Sequence, residues 1–190
     1  MSRSLQLTNS ELIEKSVANN ESVLTHTGAL LALTGNRTGR STKDRFIVKE
    51  NSTEDKIEWG EVNRPFDAED FDRLWDKVNT YMDERDHYVS EVHVGSNSNH
   101  YIPVEVRSEL AWHSLFSKLI FIAPEIFNEE NKEVWKITTA ANYVCDPETD
   151  KTNSESCVII NFLRRKVLIA GMRYVCLLYT SPSPRDGLLA

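Results

Sequence analysis

A short polar segment near the start of the chain holds residue types that can bind a small anion. Residues 35–41 read G-N-R-T-G-R-S. Glycines let the backbone approach a ligand closely, the hydroxyls of Thr38 and Ser41 can donate hydrogen bonds, and Arg40 carries a planar guanidinium that matches a carboxylate or a phosphate. This segment therefore predicts a cradle for a small anion.

Two interpretations of this segment stay open on residue types alone. It is not a Walker A loop, because it is one residue short between its glycines and has Arg where G-x-x-x-x-G-K-[ST] has Lys. A surface turn whose arginines pair with acidic side chains would have the same composition as an anion cradle. Residue types do not separate the two.

The charge of the whole chain makes the segment stand out. The sequence has 22 Lys and Arg against 29 Asp and Glu, a formal net charge of -7, which disfavours nonspecific attraction to nucleic acids and anionic membranes. Four cations, Arg37, Arg40, Lys43 and Arg45, nevertheless fall within nine residues. A basic site is therefore expected to be local, and a nucleic-acid binder is disfavoured because no extended basic face is evident.

Composition and cysteine usage point to a folded cytoplasmic protein. Hydrophobic residues make up 40% and charged residues 27% of the 190 positions, as in ordinary globular domains. The three cysteines, Cys145, Cys157 and Cys176, have no C-x-x-C spacing, which argues against a disulfide framework and a zinc ribbon. No run approaches the roughly 18 apolar residues of a membrane span, so no membrane partner is expected. The five histidines lack ligand spacing, and no metal-binding residue is assigned.

Hydrophobic periodicity and capping residues predict three helices. Thr8 followed by Glu11 forms a capping box before a helix near residues 9–19. Asp67 caps a second helix, in which apolar residues recur at helical spacing from Phe71 to Met82. Ser108 is expected to cap a third helix that runs to about Phe121.

Alternation of apolar and polar residues predicts the strands. These are residues 29–33, 45–48, 87–94, 102–107, 135–140, 157–162 and 166–170, the last two as a hairpin. Residues 34–44, which include the basic segment, then form a loop between two strands. The class is mixed α/β, of the α+β type. The prolines of T-S-P-S-P-R-D and the loss of periodicity predict no packed structure after Tyr174, and residues 175–190 are expected to be a non-native or disordered tail.

Several segments resemble one enzyme family. Residues 38–48, T-G-R-S-T-K-D-R-F-I-V, resemble T-G-R-S-P-K-D-K-[FY]-I-V of the ATP-dependent phosphoenolpyruvate carboxykinases, with Thr42 in place of proline. Residues 59–65, W-G-E-V-N-R-P, are similar to the family's W-G-x-V-N-x-P. Residues 106–116 resemble V-R-x-x-x-E-x-A-W-x-x-x-F with Glu109 out of register, and N-S-E and G-M-R-Y follow at 153–155 and 171–174 in the family's order.

The resemblance implies a fold and an activity. It implies a mixed sheet with flanking helices, the N-terminal domain of this fold, over residues 1–174. It also implies conversion of oxaloacetate and ATP to phosphoenolpyruvate, carbon dioxide and ADP in gluconeogenesis, a lyase reaction. The alternative from another class is a non-catalytic module that binds a small carboxylate or phosphate with residues 38–45. A reading frame continuing as G-E-M-K-K and then G-x-x-x-x-G-K-[ST] would exclude the module.

The same resemblance assigns site residues. Arg40 matches the family arginine that binds the substrate carboxylate, and Tyr174 the tyrosine near the carbon dioxide and substrate site. Thr38, Gly39, Ser41 and Lys43 are expected to support the loop. No residue of this chain is assigned a catalytic role, because Val175 and Cys176 stand where the family continues toward its lysine. ATP and a divalent metal, Mn or Mg, are expected in the full-length family, with their ligands on a missing C-terminal half.

The truncated chain also carries an expectation about its surface. The strands at 157–162 and 166–170 are expected to lie at the junction with the missing half and to expose apolar surface.

Overall fold

The computed structural model describes residues 3–34, 42–97, 100–123 and 133–174. The helices within these ranges are α1 (Asn9–Ala18), α2 (Ala68–Asp83), α3 (Ala111–Ile120) and the single turn α4 (Pro147–Asp150). The strands are β1 (Ser4–Leu5), β2 (Ser22–Leu24), β3 (Leu30–Ala32), β4 (Arg45–Val48), β5 (Arg64–Phe66), β6 (His87–Val94), β7 (Ile102–Ser108), β8 (Trp135–Ala140), β9 (Cys157–Asn161) and β10 (Lys166–Ala170).

Eight of these strands form one mixed sheet. Its order is β1-β6-β7-β8-β10-β9-β4-β5, while β2 and β3 pair separately as an antiparallel ribbon. The pairs β6–β7 and β9–β10 are antiparallel, and the other neighbours in the large sheet are parallel. The mixed α/β class predicted from the sequence is confirmed.

Local signals in the sequence account for the first two helices. Thr8 and Glu11 form the expected capping box at α1. Asp67 caps α2, its Oδ1 accepting from the backbone N–H of Glu69 at 2.8 Å and of Asp70 at 3.1 Å. The predicted apolar residues of α2 are all buried, and they cover one face of the sheet in a cluster with Phe46, Ile159 and Leu168.

The predicted cap of the third helix is wrong. Ser108 is the last residue of β7, paired with Tyr88 and Thr139 on the neighbouring strands, so the helix begins three residues later, at Ala111. Leu110 occupies the cap position and its side chain cannot accept a hydrogen bond. The backbone N–H of Trp112 donates instead to Oε2 of Glu21, at 3.2 Å.

The expected exposure of the last two strands is also wrong. β9 and β10 form the predicted hairpin, but they lie in the middle of the sheet between β4 and β8. All five residues of β9 are buried, and four of the five in β10. Alternate residues enter two apolar clusters, one with Ile159 and Leu168 on the α2 face, the other with Ile160 and Ile169 on the α3 face. Long-range pairing therefore makes this hairpin part of the core.

No helix in the described ranges combines the length and the apolar character that a membrane span requires.

Candidate functional site

The structure describes two of the six predicted site residues. Thr38, Gly39, Arg40 and Ser41 lie outside the residues that it describes. Lys43 lies in a short 3-10 helix, Thr42–Asp44, that leads directly into β4, and its side chain is exposed. Tyr174 follows β10 and is 40% exposed.

Lys43 and Tyr174 lie at the same edge of the sheet. β4 runs parallel to β9, with Arg45 opposite Val158, so both strands begin at this edge. β10 runs antiparallel to β9 and ends there, with Ala170 opposite Cys157. The segment that follows the predicted anion cradle and the segment that carries Tyr174 are therefore brought together by three central strands.

The start of β4 is held by side chains from a distant loop. Asp44 is buried, and its Oδ1 accepts a hydrogen bond from Nδ2 of Asn153 at 3.4 Å. The amide oxygen of Asn153 accepts in turn from Nη1 of Arg64, at 3.3 Å. These bonds join the 3-10 helix to the loop between α4 and β9 and to β5.

A glycine sets the direction of the chain as it leaves β10. Gly171 has φ of +73°, and its N–H donates to the carbonyl of Ala140 at 3.0 Å. A Cβ at this position would lie 2.4 Å from the carbonyl oxygen of Glu155, a distance that backbone atoms cannot accept without moving. Only glycine fits here, and the turn it allows leads the chain toward Arg173 and Tyr174.

Arg173 is anchored at both its backbone and its side chain. Its guanidinium donates to Oδ1 of Asn142 from Nη2 at 2.9 Å and from Nε at 3.2 Å. Its carbonyl lies 2.8 Å from Nε2 of His113, which is 1% exposed. A carbonyl can only accept, so Nε2 carries a proton. Burial is the main reason that the pKa of His113 is lowered from 6.5 to about 4.

A carboxylate organises the groups around Asn142. Glu109 accepts from the hydroxyl of Tyr81 at 2.9 Å, from the backbone N–H of Asn142 at 2.8 Å and from its amide at 3.0 Å. Burial, together with this bond to Glu109, raises the pKa of Tyr81 to about 12. We call Tyr81, Glu109, Asn142 and Arg173 the Glu109 network. It fixes a guanidinium next to Tyr174.

A second carboxylate is buried near Arg173. Glu21 accepts from the backbone N–H of Trp112 at the start of α3 and from Nδ2 of Asn19, at 2.9 Å. Burial raises the pKa of Glu21, and the hydrogen bonds from Asn19, Trp112 and Ala111 and the charge of Arg173 oppose that rise. The positive end of the helix dipole favours the ionised form in the same way. Glu21 therefore links α3 to the edge that carries Tyr174.

Several residues of this edge were missed by sequence reasoning. Arg173 and Glu109 stand inside motifs that resemble the family, but nothing local marks them as partners of Asn142. Asn142 sits in the turn after β8, and its contacts with Glu109 and Arg173 span 33 and 31 positions. His113 follows a tryptophan in a helix and gives no signal beyond its type.

The described residues offer no evident metal site. No group of three or more His, Cys, Asp or Glu side chains in these ranges is placed to hold a metal ion. The two cysteines within them, Cys145 and Cys157, are buried and free, with their sulfur atoms 3.8 Å apart.

Comparison with known proteins decides the family. The family model for ATP-dependent phosphoenolpyruvate carboxykinase matches residues 3–178. The chain belongs to this family.

Curated members of the family are similar in sequence to most of this chain. The chain is 48% identical over 166 residues to phosphoenolpyruvate carboxykinase (ATP) of Bacillus pumilus, covering 86% of this chain and 31% of that protein. It is 44% identical over 170 residues to the protein of that name from Bacillus subtilis, covering 88% of this chain and 32% of that protein. For the Staphylococcus aureus protein the identity is 45% over 172 residues, covering 89% of this chain and 32% of that protein. The chain thus spans about a third of the length of these relatives.

Proposed function

We propose that this chain is the substrate-binding part, residues 1–174, of an ATP-dependent phosphoenolpyruvate carboxykinase. The whole protein converts oxaloacetate and ATP to phosphoenolpyruvate, carbon dioxide and ADP in the cytoplasm. The observation that carries the proposal is the family match over residues 3–178, which includes the segment T-G-R-S-T-K-D. The alternative, an anion-binding module without catalysis, is not favoured, because the relatives are named as carboxykinases over the same residues.

The proposed reaction needs control of negative charge. Loss of carbon dioxide from oxaloacetate leaves an enolate, whose oxygen attacks the γ-phosphoryl group. In this proposal Arg40 holds the substrate carboxylate with a bidentate guanidinium, and the phenol of Tyr174 donates a hydrogen bond to a carboxyl oxygen without adding charge. The meeting of β4 and β10 at one edge supports this pairing, because it brings Lys43, three residues after Arg40, to the edge that carries Tyr174.

Arg173 adds a positive charge to this edge that the sequence did not predict as part of a site. Its guanidinium donates to a neutral amide, and in the part of the chain that the structure describes it forms no ion pair with a carboxylate. A cation whose hydrogen bonds go to a neutral amide still attracts an incoming anion, although the buried Glu21 also interacts with its charge. We infer that Arg173 contributes to the field that attracts the substrate, while Glu109 and Asn142 position it.

ATP and a divalent metal ion supply the phosphoryl-transfer chemistry in this family. We propose that the groups holding them belong to a further part of the protein, since the chain matches only about a third of the length of its curated relatives. The 190-residue chain by itself is then expected to form no ADP from ATP and oxaloacetate, which a coupled ADP assay on pure material measures.

The test of the proposed function is Arg40→Lys in the chain joined to the remaining two thirds of the Bacillus pumilus relative. A charge-assisted bidentate contact contributes about 1.5–3 kcal/mol, and lysine lacks the fork geometry. We expect kcat/KM for oxaloacetate to fall by about one to two orders of magnitude, since about 1.4 kcal/mol is tenfold.

The matched control is Arg37→Lys, on the same segment but outside the family motif, which should change kcat/KM little. Thermal unfolding of both variants should stay near that of the parent. Unchanged kinetics in Arg40→Lys, or a loss of activity matched by an equal loss of folding stability, would return Arg40 to a structural role.

A further inference from the structure

A pocket of about 220 Å³ lies between α2 and the sheet. Trp75 forms one wall, and the polar lining consists of Asn79, Glu105, Arg107, Lys136, Thr138 and Lys166. Lys166 is the first residue of β10, whereas the candidate functional site follows its last residue. Four residues of strand separate the two, or about 13 Å at about 3.3 Å per residue. The pocket is therefore distinct from that site.

The sheet register places two lysines side by side in this pocket. Lys136 of β8 pairs with Lys166 of β10 and, on its other side, with Glu105 of β7. Like charges at directly neighbouring positions on one face of a sheet destabilise it. With Arg107 the lining carries three cations and one carboxylate, although the chain as a whole has a net charge of -7. The pocket concentrates positive charge in an acidic protein.

The donors of Arg107 are only partly used. Its Nη1 donates to Oδ1 of Asn79 at 3.0 Å and its Nη2 to Oδ1 of Asp83 at 2.5 Å. Its Nε is buried and has no hydrogen-bond partner. A buried donor left without an acceptor costs about 1–3 kcal/mol of desolvation. The charge of Arg107 nevertheless belongs to the lining of the pocket.

Neither lysine ammonium is joined directly to a neighbouring carboxylate. In the described ranges, no ion pair or hydrogen bond joins the ammonium of Lys136 or Lys166 to a carboxylate. The ammonium of Lys166 lies 4.7 Å from the centre of the Trp75 ring. Loss of hydration lowers the pKa of Lys166; Arg164 and Lys136 add to this, and Asp72 and Asp76 oppose it. Two cations, of which Lys166 is partly dehydrated and Lys136 exposed, thus face the same space.

We propose that this pocket binds a small oxyanion, held by the ammonium groups of Lys136 and Lys166 and attracted further by the charge of Arg107. A volume of about 220 Å³ corresponds to roughly seven waters at about 30 Å³ each, and it lies below the roughly 300–1,000 Å³ typical of drug-sized ligands. A phosphate or a short dicarboxylate fits this description, and a nucleotide does not. The proposal does not depend on the carboxykinase activity.

The experiment titrates the 190-residue chain with inorganic phosphate at constant ionic strength and follows backbone amide shifts by NMR. We expect saturable shifts centred on Ile137, Thr138 and Val167. Lys136→Gln with Lys166→Gln should weaken binding at least about tenfold. Glu105→Gln should tighten binding, because it removes a carboxylate from the lining. A merely structural role for these residues does not predict an increase in affinity.

The matched control removes two lysines elsewhere. Lys49→Gln with Lys56→Gln makes the same change of charge at exposed positions and should bind phosphate like the parent. Arg40→Lys should also bind like the parent, which separates this pocket from the proposed substrate site. If the double pocket variant does not fold, Lys136→Gln alone, at an exposed residue, tests the same point.

A parallel titration with malonate distinguishes the source of the oxyanion. Tighter binding of phosphate assigns the pocket to phosphoryl groups, and tighter binding of malonate assigns it to carboxylates. The proposal is overturned if neither anion gives saturable shifts at these amides. It is equally overturned if the pocket variants bind as well as the control pair.

Discussion

His113 should make the stability of this chain depend on pH. Its ring is 1% exposed, packs 4.2 Å from the ring of Trp112, and donates from Nε2 to the carbonyl of Arg173. Its Nδ1 is buried with no hydrogen-bond partner. A proton on Nδ1 would place a charge where no acceptor receives it and where the guanidinium of Arg173 repels it. The folded state therefore favours the neutral imidazole.

The size of the effect follows from the two pKa values. A folded pKa of about 4 against 6.5 in the unfolded chain corresponds to about 3 kcal/mol. Between these pH values the unfolded state binds more protons, so the free energy of unfolding falls as the pH falls. The contribution of His113 is fully present above about pH 6.5. We expect about 2 kcal/mol of it to be lost between pH 7 and pH 5.

The perturbation is His113→Gln, which keeps an amide N–H near the Arg173 carbonyl but cannot take up a proton. Urea unfolding followed by circular dichroism at pH 7, 6 and 5 gives the free energy of unfolding of each protein. At pH 7 the variant should be less stable, by about 1–3 kcal/mol, because packing around the ring is lost. On going to pH 5 it should lose about 2 kcal/mol less than the parent.

The control is His26→Gln, which removes an exposed imidazole and should follow the parent. NMR of the imidazole nitrogens gives a direct reading, and we expect His113 to stay in the Nε2–H tautomer at pH 5. Equal pH slopes for the parent and His113→Gln, or a charged His113 at pH 6, would refute the reasoning.

Two further predictions concern folding stability, both measured by urea unfolding at pH 7. Gly171→Ala should destabilise the chain by about 3 kcal/mol or more, because it forces a side chain into a positive φ and against the Glu155 carbonyl. Gly60→Ala, where a Cβ meets nothing within 4 Å, is its control, and equal losses in the two would contradict the explanation. Asp67→Ala should cost about 1 kcal/mol by removing the cap of α2. The control, Asp55→Ala at an exposed residue, should not lower the stability. A loss of stability in Asp55→Ala equal to that in Asp67→Ala would argue against capping as the cause.

The sequence by itself determined the elements whose causes are local. The α2 helix is long and strongly periodic, and Asp67 satisfies its own first turn, so its extent is predictable to within about a residue or two. The capping box of α1 and the β9–β10 hairpin are equally local, since the interacting residues are close in the chain. The family resemblance was also visible in short motifs, and the family match confirms it.

Arg40 and its neighbours remain predictions from the sequence. The segment that holds them lies outside the described residues, and only Lys43 and Tyr174 among the predicted site residues have a described position. What the structure adds is the shared edge to which the strands bring these two.

Only the tertiary structure decided which distant residues meet. Glu21, in place of the expected Ser108, accepts from the start of α3 through a bond to Trp112 that spans 91 positions. The bond between Glu109 and Asn142 spans 33 positions. The lysines of the pocket become neighbours because β8 and β10 pair in parallel while β9 lies on the other side of β10. Periodicity reports which face of a strand is apolar, but the order of strands depends on the packing of the whole sheet. For that reason the sequence misplaced β9 and β10 at an exposed junction, although it predicted their pairing.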